Sequence, residues 1–106
     1  MWFTIQPEEF NGYVGERAIL SCEAIGLPGK KIKYLWFKSS TRGGPLTPLD
    51  CTKNVLVIES LKDSDLGYYT CQASDQDNTV IKSEPVCVNA MIRDGKEGQC
   101  LQLPVV

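Results

Sequence analysis

Residues 65–71 read Asp65-Leu66-Gly67-Tyr68-Tyr69-Thr70-Cys71, and this stretch decides the fold of the 106-residue chain. The side chains that follow the glycine fall into two alternating sets. They are Tyr69, Cys71 and Ala73 in one set, and Tyr68, Thr70 and Gln72 in the other. Because successive side chains of a strand point to opposite faces, this alternation predicts a half-buried β-strand that begins at a glycine turn.

The same period of two recurs on both sides of this stretch. Residues 18–25, 32–37 and 56–59 alternate in the same way, and turn sequences rich in Gly, Pro and Asp separate them. Residues 80–89 are extended again and form a candidate exposed sheet edge, part of which Pro85 would protect from pairing. No segment keeps a helical period. About seven short strands joined by short turns predict an all-β fold, a sandwich of two antiparallel sheets.

Three residues of this pattern lie on the inner faces of three different predicted strands: Cys22, Trp36 and Cys71. Together with the Asp65-x-Gly67-x-Tyr69-x-Cys71 motif, they resemble the immunoglobulin superfamily over about residues 3–90. The resemblance implies an immunoglobulin-like (Ig-like) β-sandwich. In such a sandwich Cys22 and Cys71 would join the two sheets, and Trp36 would pack across their sulfur atoms.

The resemblance also implies roles at the corner before the last cysteine. The hydroxyl of Tyr69 would satisfy a backbone group there, which is the tyrosine corner of the family. Asp65 would accept charge-assisted hydrogen bonds across the end of the sandwich, and Gly67 would permit the turn.

The interval between Trp36 and Leu56 is short for the additional hairpin of variable-type domains. The chain therefore resembles an I-set or C2-type domain, a class that usually occurs in tandem arrays. We expect the Ig-like domain to span residues 1–90. Residues 91–106 then form a linker or C-terminal extension, or the start of a following domain.

Several short phrases resemble the Ig-like domains of paracaspases, which are intracellular signalling proteases. The phrases are Gln6-Pro7-Glu8, Ala24-Ile25-Gly26-Leu27-Pro28, Trp36-Phe37-Lys38 and Pro85-Val86-Cys87-Val88. The catalytic His and Cys of that family lie in a caspase-like domain, and no position of this chain matches them. This resemblance implies a non-catalytic scaffold or regulatory module.

The chain has five cysteines, and their redox state leaves the compartment open. An oxidised Cys22–Cys71 pair would contribute about 4 kcal/mol on the loop-entropy model, whereas reduced they would be small buried hydrophobic residues. A Cys87–Cys100 bridge would hold the tail on the last strand and leave Cys51 as a lone thiol, but we expect Cys51 and at least one cysteine of the tail to be free thiols. That odd thiol and the lack of an N-glycosylation acceptor favour the cytoplasm, and an extracellular location is the alternative.

Composition excludes several kinds of site. The chain has no His, so Ser-His and Cys-His catalysis are excluded, and the cysteine spacings do not suit zinc. Its formal net charge of −2 is unsuited to nucleic acid. The longest apolar run, Val55–Ile58, is too short to insert into a membrane. We expect no catalytic, cofactor or metal site in this domain.

Strand parity predicts a candidate interaction face. With Trp36 and Tyr69 pointing inward, Leu35, Phe37 and Tyr68 point outward on adjacent strands. A contiguous exposed apolar patch of this kind is typical of a protein interface. The alternative is that long polar neighbours cover these side chains. A second outward pair, Ile19 and Val57, lies on the opposite sheet.

The sequence thus predicts a non-catalytic protein-interaction or scaffold module, one Ig-like domain of a larger multidomain signalling protein. The alternative is one domain of an extracellular receptor or adhesion ectodomain. In either case the expected partner is a protein, a neighbouring Ig domain or a second copy of the chain. If the parent is a paracaspase, a protease domain lies elsewhere in it.

Overall fold

The structure, a computed structural model, describes residues 1–91. In this range ten short strands and one turn of 3-10 helix, Asp63–Asp65, follow one another. The strands are β1 (Trp2–Ile5), β2 (Phe10–Tyr13), β3 (Ala18–Ser21), β4 (Glu23–Ile25), β5 (Lys33–Ser39), β6 (Thr47–Pro48), β7 (Val55–Ile58), β8 (Gly67–Ser74), β9 (Val80–Lys82) and β10 (Val86–Met91).

The larger sheet has the order β2-β10-β8-β5-β6, and β9 also pairs with β8. The β2–β10 pairing is parallel, and the other pairings in this sheet are antiparallel. The predicted extended segment 80–89 is therefore two strands along the same side of β8, separated near Pro85. The expected exposed edge at β10 is wrong, because β2 covers it and itself forms the edge.

The second sheet consists of the pairs β1–β4 and β3–β7, both antiparallel. β3 and β4 are consecutive, and the amide of Cys22 between them donates to the carbonyl oxygen of Asn54 at 2.9 Å. This hydrogen bond extends the β3–β7 pairing to the point where β4 joins β1.

Alternating side chains from the two sheets meet in one core. On β3 and β4 the residues Ala18, Leu20 and Ala24 are buried, and their neighbours Ile19, Glu23 and Ile25 are exposed. Leu61 and Leu66, from the segment around the 3-10 turn, close one end of the core. The predicted all-β sandwich is confirmed, with ten strands in residues 1–91 rather than about seven and with one parallel pairing, β2–β10, where antiparallel sheets were expected.

The interval between Trp36 and Leu56 holds one short additional strand rather than a hairpin. β6 pairs with β5 through only two residue pairs, Phe37 with Pro48 and Lys38 with Thr47. This arrangement agrees with the short interval that the sequence shows there.

Candidate functional site

The centre of the sandwich contains the three residues that the sequence singles out. Cys22 and Cys71 form a disulfide between the two sheets. Trp36 is fully buried, and its indole N–H donates to the carbonyl oxygen of Lys53 at 2.8 Å. These contacts give the three residues a structural position inside the sandwich.

The corner before β8 contains the tyrosine of the motif. The hydroxyl of Tyr69 donates to the carbonyl oxygen of Asp65 at 2.5 Å. Burial raises the pKa of Tyr69, and the nearby negative charge of Asp65 raises it further. The hydroxyl therefore stays protonated and holds the corner closed.

Asp65 differs from its expected role. Its carboxylate accepts a hydrogen bond from the backbone N–H of Lys62 at 2.9 Å, within its own turn. The expected bond across the end of the sandwich is absent among the described residues. Asp65 therefore stabilises the 3-10 turn locally.

Gly67 adopts a backbone conformation that other residues rarely reach, with a φ of +148°. A Cβ atom placed there would also lie 2.8 Å from the carbonyl oxygen of Ser39 on the adjacent strand β5. Both the dihedral angle and the close approach require glycine at this position.

The remaining cysteines differ from one another. Cys51 has a free thiol and is partly buried beside the core. Cys87 is disulfide-bonded. Residues 92–106 of the expected 91–106 linker or extension lie outside the described residues, and so does Cys100 of the possible Cys87–Cys100 bridge; Met91 itself ends β10.

The candidate interaction face lies on the outer side of β5, β8 and β9. Strand register aligns Leu35 with Gln72, and Gln72 with Lys82. The next pair is Phe37 with Thr70. Leu35 and Phe37 are each partly exposed. These two side chains of the predicted patch are accordingly adjacent and within reach of a partner.

Tyr68 is not exposed as the sequence predicts. Its exposed fraction is only 7%, and it packs against Cys87, its register neighbour on β10. The guanidinium of Arg42 lies over its ring, 6.0 Å from the centroid. Parity places Tyr68 on the outer face, but residues distant in the chain cover it there.

A second cation covers the other aromatic ring of this face. The ammonium group of Lys82 lies 5.9 Å from the centroid of the Phe37 ring. Cations over aromatic faces at about 6 Å are favourable. Sequence reasoning missed both Arg42 and Lys82, since only the fold brings the 41–46 turn and β9 to these rings.

Two depressions lie along this face. One has a volume of about 480 Å³ and is lined by Lys33, Leu35, Gln72 and neighbouring residues. The other, of about 220 Å³, lies beside Lys82 and above Tyr68 and Thr70. The face therefore combines two shallow depressions with partly exposed apolar side chains.

The opposite sheet also exposes apolar side chains. Ile19 and Val57 are direct register partners with exposed fractions of 49% and 37%. Trp2 and Ile25 form a similar exposed pair between β1 and β4. This second surface carries no cation over an aromatic ring among residues 1–91.

Residues 1–91 contain no group of three or more His, Cys, Asp or Glu side chains that could bind a metal ion. In the same range, no helix has the length and apolar character that crossing a membrane requires.

Comparison with known proteins identifies relatives of the chain. A family model described as "Immunoglobulin domain" matches residues 3–75. The cell adhesion molecule DSCAML1 of Gallus gallus is 30% identical over 80 residues, which cover 69% of this chain and 4% of that protein. The peroxidasin homolog of Mus musculus is 34% identical over 96 residues, covering 84% of this chain and 6% of that protein. The chain thus spans a small fraction of these relatives.

Solved structures agree on the fold. The tandem Ig repeats of Dlar superpose with a TM-score of 0.67 and 24% identity, covering 86% of this chain and 48% of that one. Immunoglobulin domains 1–5 of Sidekick-1 superpose with a TM-score of 0.64 and 21% identity, covering 85% of this chain and 18% of that one. The narrower resemblance to paracaspases receives no support from these comparisons.

Proposed function

The chain belongs to the immunoglobulin domain family, and from that premise we propose that it is a non-catalytic protein-interaction module within a larger multidomain protein. The proposed domain spans residues 1–90. Its partner is a protein, a neighbouring Ig domain or a second copy. The proposal includes the sheet face of Leu35 and Phe37 as the contact surface.

One observation carries the choice of surface. Leu35 and Phe37 are large apolar side chains that stay partly exposed on a regular sheet, and a depression of about 480 Å³ opens beside Leu35. Apolar side chains next to concave surface are typical of the centre of protein interfaces. The Cys22–Cys71 disulfide and Trp36 lie beneath this face, so the fold holds it in a fixed shape.

The test places a photo-reactive phenylalanine analogue at Leu35 in the full parent protein. The control carries the same analogue at Val57, which points outward on the opposite sheet. We expect a discrete cross-linked product from position 35 and none from position 57. Cross-linking at position 57 alone, or at neither position, would overturn the choice of surface.

A second variant separates binding from folding. Leu35→Glu combined with Phe37→Glu should abolish self-association or partner association, and change the free energy of unfolding by about 1 kcal/mol or less, as partly exposed sites usually do. Sedimentation equilibrium and urea unfolding measure the two effects. Loss of folding in this variant would contradict the outward placement of both side chains.

A specific observation favours a second candidate setting. DSCAML1, which matches 69% of this chain, is named a cell adhesion molecule. One domain of an extracellular adhesion ectodomain is therefore the alternative to an intracellular signalling protein. Alkylation of the parent unfolded in denaturant without reductant distinguishes them: Cys22 and Cys71 should resist alkylation in an adhesion ectodomain and be alkylated in a cytoplasmic protein.

A further inference from the structure

We propose that the face of Leu35 and Phe37 binds an acidic protein segment that also carries an apolar side chain. This inference rests on the proposed function and specifies the chemistry of the partner. Its basis is the set of charges that strand register places on the face.

The rows of side chains across the outer face contain cations and no carboxylates. Strand register places Lys33 with Ser74 and Val80 in one row, and Leu35 with Gln72 and Lys82 in the next. Two further rows join Phe37 to Thr70, and Ser39 to Tyr68 and Cys87. These rows therefore carry positive charge although the whole chain has a net charge of −2.

The cations of this face have no acidic partner within residues 1–91. Lys33, Arg42 and Lys82 are exposed and form no ion pair there. The two ion pairs of the described range lie elsewhere, between Arg17 and Glu59 and between Lys30 and Asp77. Electrostatic complementarity therefore favours carboxylates on the partner.

The position of Lys82 over Phe37 brings the positive charge and the apolar surface of the face together. The ammonium group lies over the ring and remains exposed, so a carboxylate that reaches it also approaches Phe37. The depression beside Leu35 lies in the row next to that of Phe37 and has room for an apolar side chain. Interspersed apolar residues of this kind suit a protein segment better than a nucleic acid, which needs a denser array of cations.

The experiment titrates the ¹⁵N-labelled full chain with a short synthetic peptide of Glu residues around a central Leu. Matched peptides replace every Glu by Gln, or the Leu by Ala, and oligothymidine tests the nucleic-acid alternative. We expect amide shifts confined to β5, β8 and β9 with the Glu/Leu peptide. We also expect weaker binding by each matched peptide, and binding that weakens as salt concentration rises.

Charge reversal at Lys82 provides the matched variant. Lys82→Glu should weaken binding of the Glu/Leu peptide by about tenfold or more, because a carboxylate beside Phe37 repels the acidic peptide that the lysine attracts. Lys62→Glu makes the same change at an exposed lysine outside this face and should weaken binding about threefold or less, through long-range charge only. Retained amide dispersion in both variants shows that both are folded.

Three results would overturn the proposal: equal binding of the Gln peptide, equal effects of the two charge reversals, or tighter binding of oligothymidine. Each leaves the proposed function intact if position 35 still cross-links to a protein. Conversely, loss of that cross-link overturns the proposed function itself.

Discussion

Individual residues of the D-x-G-x-Y-x-C motif stabilise the backbone of the corner before β8. Tyr69 donates to the carbonyl oxygen of Asp65, and Gly67 permits an approach to Ser39 that a Cβ atom would block. Asp65 itself accepts from the amide of Lys62 within the same turn. The motif therefore determines how β8 begins, and its effects are measurable as stability.

Tyr69→Phe should lower the free energy of unfolding by about 1 kcal/mol at neutral pH, because it removes one buried hydrogen bond. The folded chain raises the pKa of Tyr69, so the unfolded chain loses this proton first as the pH rises. The stability that Tyr69 contributes is therefore complete below a pH of about 10 and declines above it. Urea unfolding at neutral and alkaline pH should show that the unsubstituted protein and the Tyr69→Phe variant differ less in free energy of unfolding as the pH rises. A constant difference would contradict the role of the hydroxyl proton.

Gly67→Ala should lower the free energy of unfolding more than Gly29→Ala. Both glycines have positive φ angles, +148° and +82°, but a Cβ atom at Gly29 would meet no atom within 4 Å. We expect Gly29→Ala to lower the free energy of unfolding by about 1 kcal/mol, from backbone strain alone. Gly67→Ala should cost about 2–3 kcal/mol or more, because Ser39 must also move. Thermal unfolding of the two variants measures the difference, and equal losses would argue against the close approach.

The strands show how far a period of two predicts burial. Along β3 and β4 the prediction is confirmed, since Leu20 is buried and Ile19 is exposed. On β8 the inner face is also as predicted, but Tyr68 and Thr70 on the outer face are buried too. Alternation predicts the face of the sheet to which each side chain points. Its burial depends additionally on which other segments of the fold cover that face.

Neighbouring substitutions on β3 test this distinction. Leu20→Ala should lower the free energy of unfolding by about 2–4 kcal/mol, because it removes core contacts and leaves a cavity. Ile19→Ala, the adjacent residue with 49% exposure, should change it by about 1 kcal/mol or less. Urea unfolding measures both, and similar losses would mean that the two faces of β3 are equally covered.

At the scale of the whole molecule, the Cys22–Cys71 disulfide joins the two sheets covalently. The Cys22–Cys71 disulfide lies beside the fully buried Trp36 and closes a loop with a sequence separation of 49. The β2–β10 pairing, in contrast, joins the first and last parts of the described chain within one sheet. The disulfide should therefore contribute mainly by restricting the unfolded chain.

Replacing Cys22 and Cys71 together by Ala should lower the free energy of unfolding by about 4 kcal/mol on the loop-entropy model. Denaturant unfolding followed by the fluorescence of the two tryptophans measures the loss. Cys51→Ala is the control: it removes a free, partly buried thiol and should cost about 1 kcal/mol or less. A loss of similar size in both proteins would contradict a dominant role of the disulfide.

The sequence by itself determined the all-β class, the inner-face residues and the family, because a period of two and the spacing of Cys22, Trp36 and Cys71 are local properties of the chain. Only the tertiary structure decided that β2 covers β10, that Tyr68 is buried, and that Arg42 and Lys82 lie over aromatic rings. These contacts join segments far apart in sequence. They depend on which strands pair and on the course of the turns, and no local pattern of side chains encodes that choice.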